Sequence, residues 1–154
     1  MSRREKAMAL FEQGYNCSQA VAGAFCDKTN IDFDTMMRLA SVFGGGMGRL
    51  REVCGAVSGM FIITGLLYGY DSAEDIEAKK NLYSQVQTLA NSFKMKNGSY
   101  VCRELLSLPN TGADSPVPEA RTAQYYKKRP CKELVGDAAD ILDKFLKEQN
   151  NGSN

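Results

Sequence analysis

No histidine occurs in the 154 residues of this chain. That absence excludes Ser–His and Cys–His nucleophile pairs, histidine-ligated zinc, the histidine ligand of a c-type haem and any histidine pH switch. An excess of either charge is also missing. Lys and Arg number 19 and Asp and Glu 18, a net charge of +1, which argues against a nucleic-acid binder. The five cysteines are an odd number, and no two have the C-x-x-C spacing of zinc ribbons, bacterial ferredoxins or thioredoxin-like motifs. The N-terminal Arg3-Arg4-Glu5-Lys6 precedes only Ala7 to Phe11 as an apolar stretch, too short and interrupted for a secretory signal. Together these features predict a cytoplasmic protein with reduced thiols rather than a secreted disulfide scaffold.

What is present reads as helix. The length suits one domain able to bury about 70% of its unfolded surface, and we expect a single helical domain over 1–149. Ser2 and Glu5 form a capping-box pattern for a helix through Gln13, with Gly14 in the C-cap slot. Asn16 is a good N-cap for a second helix, Cys17 to about Lys28. Asp32 or Asp34 caps a third, running through Met36, Met37, Leu39, Ala40 and Phe43. The run Gly44-Gly45-Gly46-Met47-Gly48 then forces a tight, close-packed turn. From Val53 to Tyr70 no charge occurs. That stretch is long enough to span a bilayer, but its glycines and its isolation favour the central core helix of a soluble bundle. The spaced pairs Gly55/Gly59 and Gly65/Gly69 would each let another helix approach closely. Ser72 to about Lys96 reads as a long amphipathic helix, with Ile76, Tyr83, Val86, Ala90 and Phe93 on one stripe. Ser99 caps a short helix through Leu106. A proline-containing loop covers 107–121, and Pro130 opens a last helix to about Glu148. In that helix Leu134, Val135, Ala138, Ile141, Leu142 and Phe145 face inward, and 150–154 should fray. No strand pattern or repeat appears. The expectation is an all-α bundle of about six to seven helices around a central glycine-rich apolar helix.

The cysteines carry the chemical signal. Cys17 follows the N-cap Asn16, Cys54 opens the uncharged helix, Cys102 lies three residues after Ser99, and Cys131 follows Pro130. Each therefore falls in the first turn of a different helix. A helix N-terminus offers free N–H groups and a positive dipole end, and such a setting favours thiolate. Four such thiolates would make one pocket suited to a metal. Cys26, nine residues beyond Cys17, lies on the opposite face of its helix. Arg51, Arg103 and Arg129 stand within three positions of a cysteine, but 19 basic residues make such neighbours expected by chance, so they are set aside.

The segments Gly14-Tyr15-Asn16-Cys17-Ser18-Gln19-Ala20-Val21, Phe43-Gly44-Gly45-Gly46-Met47-Gly48, Cys54-Gly55-Ala56-Val57-Ser58-Gly59, Cys102-Arg103-Glu104-Leu105-Leu106 and Cys131 stand in order along the chain. In this the chain resembles the C_GCAxxG_C_C family, described as redox-active proteins, from about residue 5 to 146. The resemblance implies Cys17, Cys54, Cys102 and Cys131 as signature cysteines, with Cys26 outside the signature. The family's name spells Gly-Cys-Ala, whereas this chain has Val53-Cys54-Gly55-Ala56, which implies a different backbone beside Cys54. The family's likeness to a domain of split-Soret cytochromes c implies an iron–sulfur cluster.

Other patterns carry less. The Gly44–Gly48 run lacks the Gly-Lys-Ser/Thr of a P-loop and the spacing of a dinucleotide fingerprint. A packing turn is expected there ahead of an anion nest with Arg49 and Arg51. Tyr125-Tyr126-Lys127-Lys128-Arg129 reads as a solvated helix end and the methionines as core filler. The expected function is redox activity at a four-cysteine metal site, an iron–sulfur cluster for electron transfer or sensing. Alternatives are a zinc-bound structural or interaction module, a metal-free thiol–disulfide protein, and a catalytically silent interaction module. An electron-transfer partner protein is expected, with neither nucleic acid nor membrane. A homodimer is one allowed state.

Overall fold

The computed structural model describes residues 1–109 and 111–152. It is all-α, with eight helices among the described residues: α1 (Arg3–Glu12), α2 (Cys17–Ala24), α3 (Phe33–Ser41), α4 (Gly55–Tyr68), α5 (Ile76–Asn97), α6 (Cys102–Leu105), α7 (Ala123–Lys128) and α8 (Cys131–Asn151). The count exceeds the expected six to seven because Thr122 caps α7 by accepting from the Tyr125 amide, a start that the reading passed over. No helix among the described residues is long and apolar enough to cross a membrane.

Local chemistry sets most boundaries. Ser2 and Glu5 close a full capping box on α1, and Gly14 takes φ 105° just after it. Asn16 and Gln19 close a second box on α2. That helix stops at Ala24 rather than near Lys28, and Cys26–Lys28 forms a separate 3₁₀ turn. Asp32, rather than Asp34, caps α3. The short α6 begins at Cys102, later than expected, because Ser99 bonds the Val101 amide instead of capping a helix. Helix α8 continues through Asn151, while residues 153 and 154 of the expected frayed tail lie outside the described residues.

The small helix α2 packs on α1, α3, α4 and α8, and the first six residues of α4, Gly55 to Met60, are buried. Helix α1 packs along α8, where Arg4 bridges Glu133, Asp137 and Asp140, and Lys96 of α5 also reaches Asp137. The long α5 corrects the expected stripe. Ile76 and Tyr83 are exposed, whereas Leu89 and Phe93 are its buried residues. The first turns of α5 extend past the core, so periodicity alone misplaced the inward face by reading the whole helix as packed.

The two glycine pairs of α4 behave differently. A Cβ at Gly59 would lie 2.8 Å from Val21 Cβ and 2.9 Å from the Ser18 carbonyl oxygen. A Cβ at Gly65 would meet nothing within 4 Å, and Gly69 serves as the helix C-cap. Only the first pair makes a close crossing. Gly59→Ala should therefore lower stability by about 2 kcal/mol through overpacking. Gly65→Ala should raise it by about 0.5 kcal/mol, by removing glycine's chain entropy from a helix interior. Urea unfolding of the two variants checks both signs.

Candidate four-cysteine site

Helix starts deliver the four cysteines. Cys17, Cys102 and Cys131 are the first residues of α2, α6 and α8, and Cys54 is the N-cap of α4. Asn16 holds the start of α2 in place by donating to the Ser41 carbonyl at 2.9 Å, while Gln19 donates to the Met37 carbonyl at 3.0 Å. One isolated antiparallel bridge, Val53 to Val101, sets the register of the next two. The Cys54 amide donates to Tyr100 at 2.8 Å and the Cys102 amide to Glu52 at 2.6 Å. The residue after Cys54 has a steric reason to be glycine. A Cβ on Gly55 would lie 3.1 Å from Cys17 Cβ and 3.2 Å from the Ser18 nitrogen.

The glycine run is both turn and wall. Gly45, Gly46, Met47, Gly48 and Arg49 all have φ between 61° and 70°, one left-handed turn that costs roughly 1–2 kcal/mol at each residue bearing a side chain. A Cβ at Gly46 would lie 2.6 Å from Cys102 Cβ. The turn then folds back so that the Arg51 and Glu52 amides donate to Gly45 and Gly46.

All four cysteines line one cavity of about 240 Å³. Its wall includes Gly44 to Gly46, Phe11, Leu105 and Leu134, and Pro116, Pro118 and Glu119 also line it. Arg49, Arg51, Arg121 and Arg129 line it too, with Glu119 as the one carboxylate of the lining. Cys26 is elsewhere. It sits in the 3₁₀ turn and its thiol donates to the Ile31 carbonyl at 3.1 Å. All five cysteines are free thiols. Among the described residues, no three Cys, Asp or Glu side chains gather closely enough to grip one metal ion.

The thiols differ in ionisation. The Cys17 thiol donates to the Cys131 sulfur, which pulls Cys131 down to about 7 against the effect of burial, aided by the Tyr125 hydroxyl and by Arg129 and Arg51. Cys17 is pushed well up by that same hydrogen bond, by burial and by the Cys131 charge. Burial pushes Cys54 up to about 12 against the pull of the Ala56 and Val57 amides. Cys102 also rises by burial, opposed by Arg51, whose Nη1 donates to its sulfur at 3.6 Å. Of the four, Cys131 is the thiol whose ionisation this pocket favours.

Arg51 and Arg129 were set aside on counting grounds, and the geometry corrects this: both act on cysteines. Arg103 instead braces the loop, donating to the carbonyls of Pro109 and Gly112. Tyr125 and Arg121 were missed as site residues. The Arg121 guanidinium lies 3.9 Å over the Phe11 ring and donates to the Phe11 and Tyr15 carbonyls at 2.8 and 3.0 Å. Its only sequence signal was its place at the end of the proline loop.

The fold and this pocket define a small all-α protein with four clustered thiols. Residues 15–145 match the family described as "Putative redox-active protein (C_GCAxxG_C_C)". The chain belongs to that family. No curated protein and no solved structure matches it.

In the metal-free reduced protein, ultraviolet thiolate absorbance should rise with a midpoint near pH 7, because a lowered thiol pKa leaves the anion populated above that pH. Cys131→Ser should abolish this step. Cys17→Ala should move it upward, since the Cys17 thiol is its largest cause.

Proposed function

We propose that the pocket is a metal centre in which Cys17, Cys54, Cys102 and Cys131 hold an iron–sulfur cluster used for electron transfer or sensing. The observation that carries this reading is the cavity of about 240 Å³ lined by four thiols from four separate helix starts. The donors are all soft sulfur, which favours zinc or iron–sulfur over hard cations. A lone zinc needs four sulfurs ~2.3 Å from one point. The donor set suits either, and the family's redox description supports the cluster, since zinc has no redox chemistry. The chemistry such a cluster supplies is a one-electron couple.

The chain's own residues fit that task. The four lining arginines offset the negative charge that several ligand thiolates bring. Arg51 donates to the Cys102 sulfur, and hydrogen bonds to ligand sulfurs tune such centres. Pro116 and Pro118 cover one side with apolar surface, which restricts water. The electron donor or acceptor in this reading is a partner protein.

The Cys17–Cys131 contact favours a second reading, metal-free thiol–disulfide exchange. The Cys131 thiolate would attack a substrate disulfide, one substrate sulfur leaving as thiolate. Cys17 would then lose its proton and displace the second, leaving a Cys17–Cys131 disulfide and a reduced dithiol.

Anaerobic purification and reconstitution followed by iron, zinc and acid-labile sulfide analysis decides between them. The expected result is iron with sulfide and visible absorbance, lost in Cys102→Ser and retained in Cys26→Ser. Loading should raise the melting temperature, because the centre ties together four helix starts that the unfolded chain cannot hold together. Zinc without iron would make the site structural. Neither metal, with a Cys17–Cys131 disulfide in oxidised protein, would establish the exchange reading.

A further inference from the structure

One buried guanidinium joins the pocket to the segment beyond it. Arg51 is 6% exposed, and its Nε donates to Asp114 Oδ2 at 2.8 Å while its Nη1 donates to Cys102 Sγ at 3.6 Å. The fork therefore spans a signature sulfur and a carboxylate in the 111–121 segment. The backbone fixes both ends of this bridge. Arg51 has φ 62°, and its carbonyl accepts from the Arg103 amide at 3.2 Å, next to Cys102. The Asp114 amide donates to the Arg49 carbonyl at 3.0 Å. A rigid planar fork can serve two acceptors at once, which a lysine ammonium on a flexible stem does not reproduce.

We propose that Arg51 and Asp114 are positioning residues that set the potential of the four-cysteine centre and tie the 111–121 segment to its state. The proposal rests on the cluster reading above. When Cys102 is a ligand, its sulfur carries negative charge, and the Arg51 contact becomes charge-assisted and shorter. The guanidinium is then held at both ends, and Asp114 is held with it. When Cys102 is a neutral thiol, that anchor weakens and the segment loosens. The coupling is reciprocal. A carboxylate beside Arg51 partly cancels the positive charge facing the sulfur, so removing it favours the electron-rich state.

Hydrogen exchange of the 111–121 amides and redox titration of the loaded protein test this together. In the wild type, loading iron should slow exchange in this segment severalfold. Asp114→Asn should keep its iron content, remove most of that slowing and raise the midpoint potential. Arg51→Lys keeps the charge but not the fork, and should lose the slowing while shifting the potential less than Arg51→Met. A wild type that loads iron with unchanged exchange in 111–121 overturns the proposal alone. So does an Asp114→Asn protein with wild-type exchange and potential. A wild type that takes up no iron overturns the cluster reading, and this proposal with it.

Discussion

The close crossing of α2 and α4 is the contact on which the pocket depends. Gly55 and Gly59 let the two backbones meet with nothing but hydrogen between them and the residues of α2. Any side chain at either position would push Cys17 away from Cys54. The rest follows in order. Once α4 lies there, Val53 is placed to bridge Val101, and the bridge brings Cys102 beside Cys54. The left-handed glycine turn fits into the remaining space because Gly46 has no side chain to strike Cys102. Backbone strain at Met47, Arg49 and Arg51 is the cost of aiming that turn at the sulfurs, as is common where a site over-determines its geometry.

Burying four acidic thiols together creates an electrostatic problem, and the surrounding residues resolve it unevenly. Burial raises Cys54 and Cys102, and the hydrogen bond between Cys17 and Cys131 pushes Cys17 up and pulls Cys131 down to about 7. The arginines that approach it are themselves engaged: Arg51 with Asp114, Arg129 with Glu119, and Arg121 with two main-chain carbonyls. Each is thus a fixed charge rather than a free surface cation.

Much of this was legible in the chain itself. Side chains that bond their own backbone announce helix starts, which is why Ser2 and Asn16 located α1 and α2, while α3 was placed at Asp32 or Asp34 and starts after Asp32. The same logic put four cysteines at helix starts; Cys26 was expected on the far face of α2 but lies beyond its end, in the 3₁₀ turn. The legibility ended where tertiary contact decides. Whether Gly55/Gly59 or Gly65/Gly69 forms the crossing depends on where α2 lies, and nothing local to α4 distinguishes the pairs. The stripe of α5 was misassigned because its exposed first turns keep Ile76 and Tyr83. The role of Arg51 depends on partners at Cys102 and Asp114, dozens of residues away, and the proximity of an arginine in sequence could not separate Arg51 from Arg103; that of Tyr125 depends on how the turn before α8 aims its hydroxyl at Cys131.

The pairing of α1 with α8 has a consequence for biosynthesis. Arg4 finds its carboxylates at Glu133, Asp137 and Asp140, and the Cys17 thiol finds its acceptor at Cys131. As the chain leaves the ribosome, α1 and α2 emerge with one flank uncovered and stay so until α8 has been made. The pocket has no fourth wall during translation. A four-thiol ligand set therefore cannot close around anything until α8 has docked on α1 and α2.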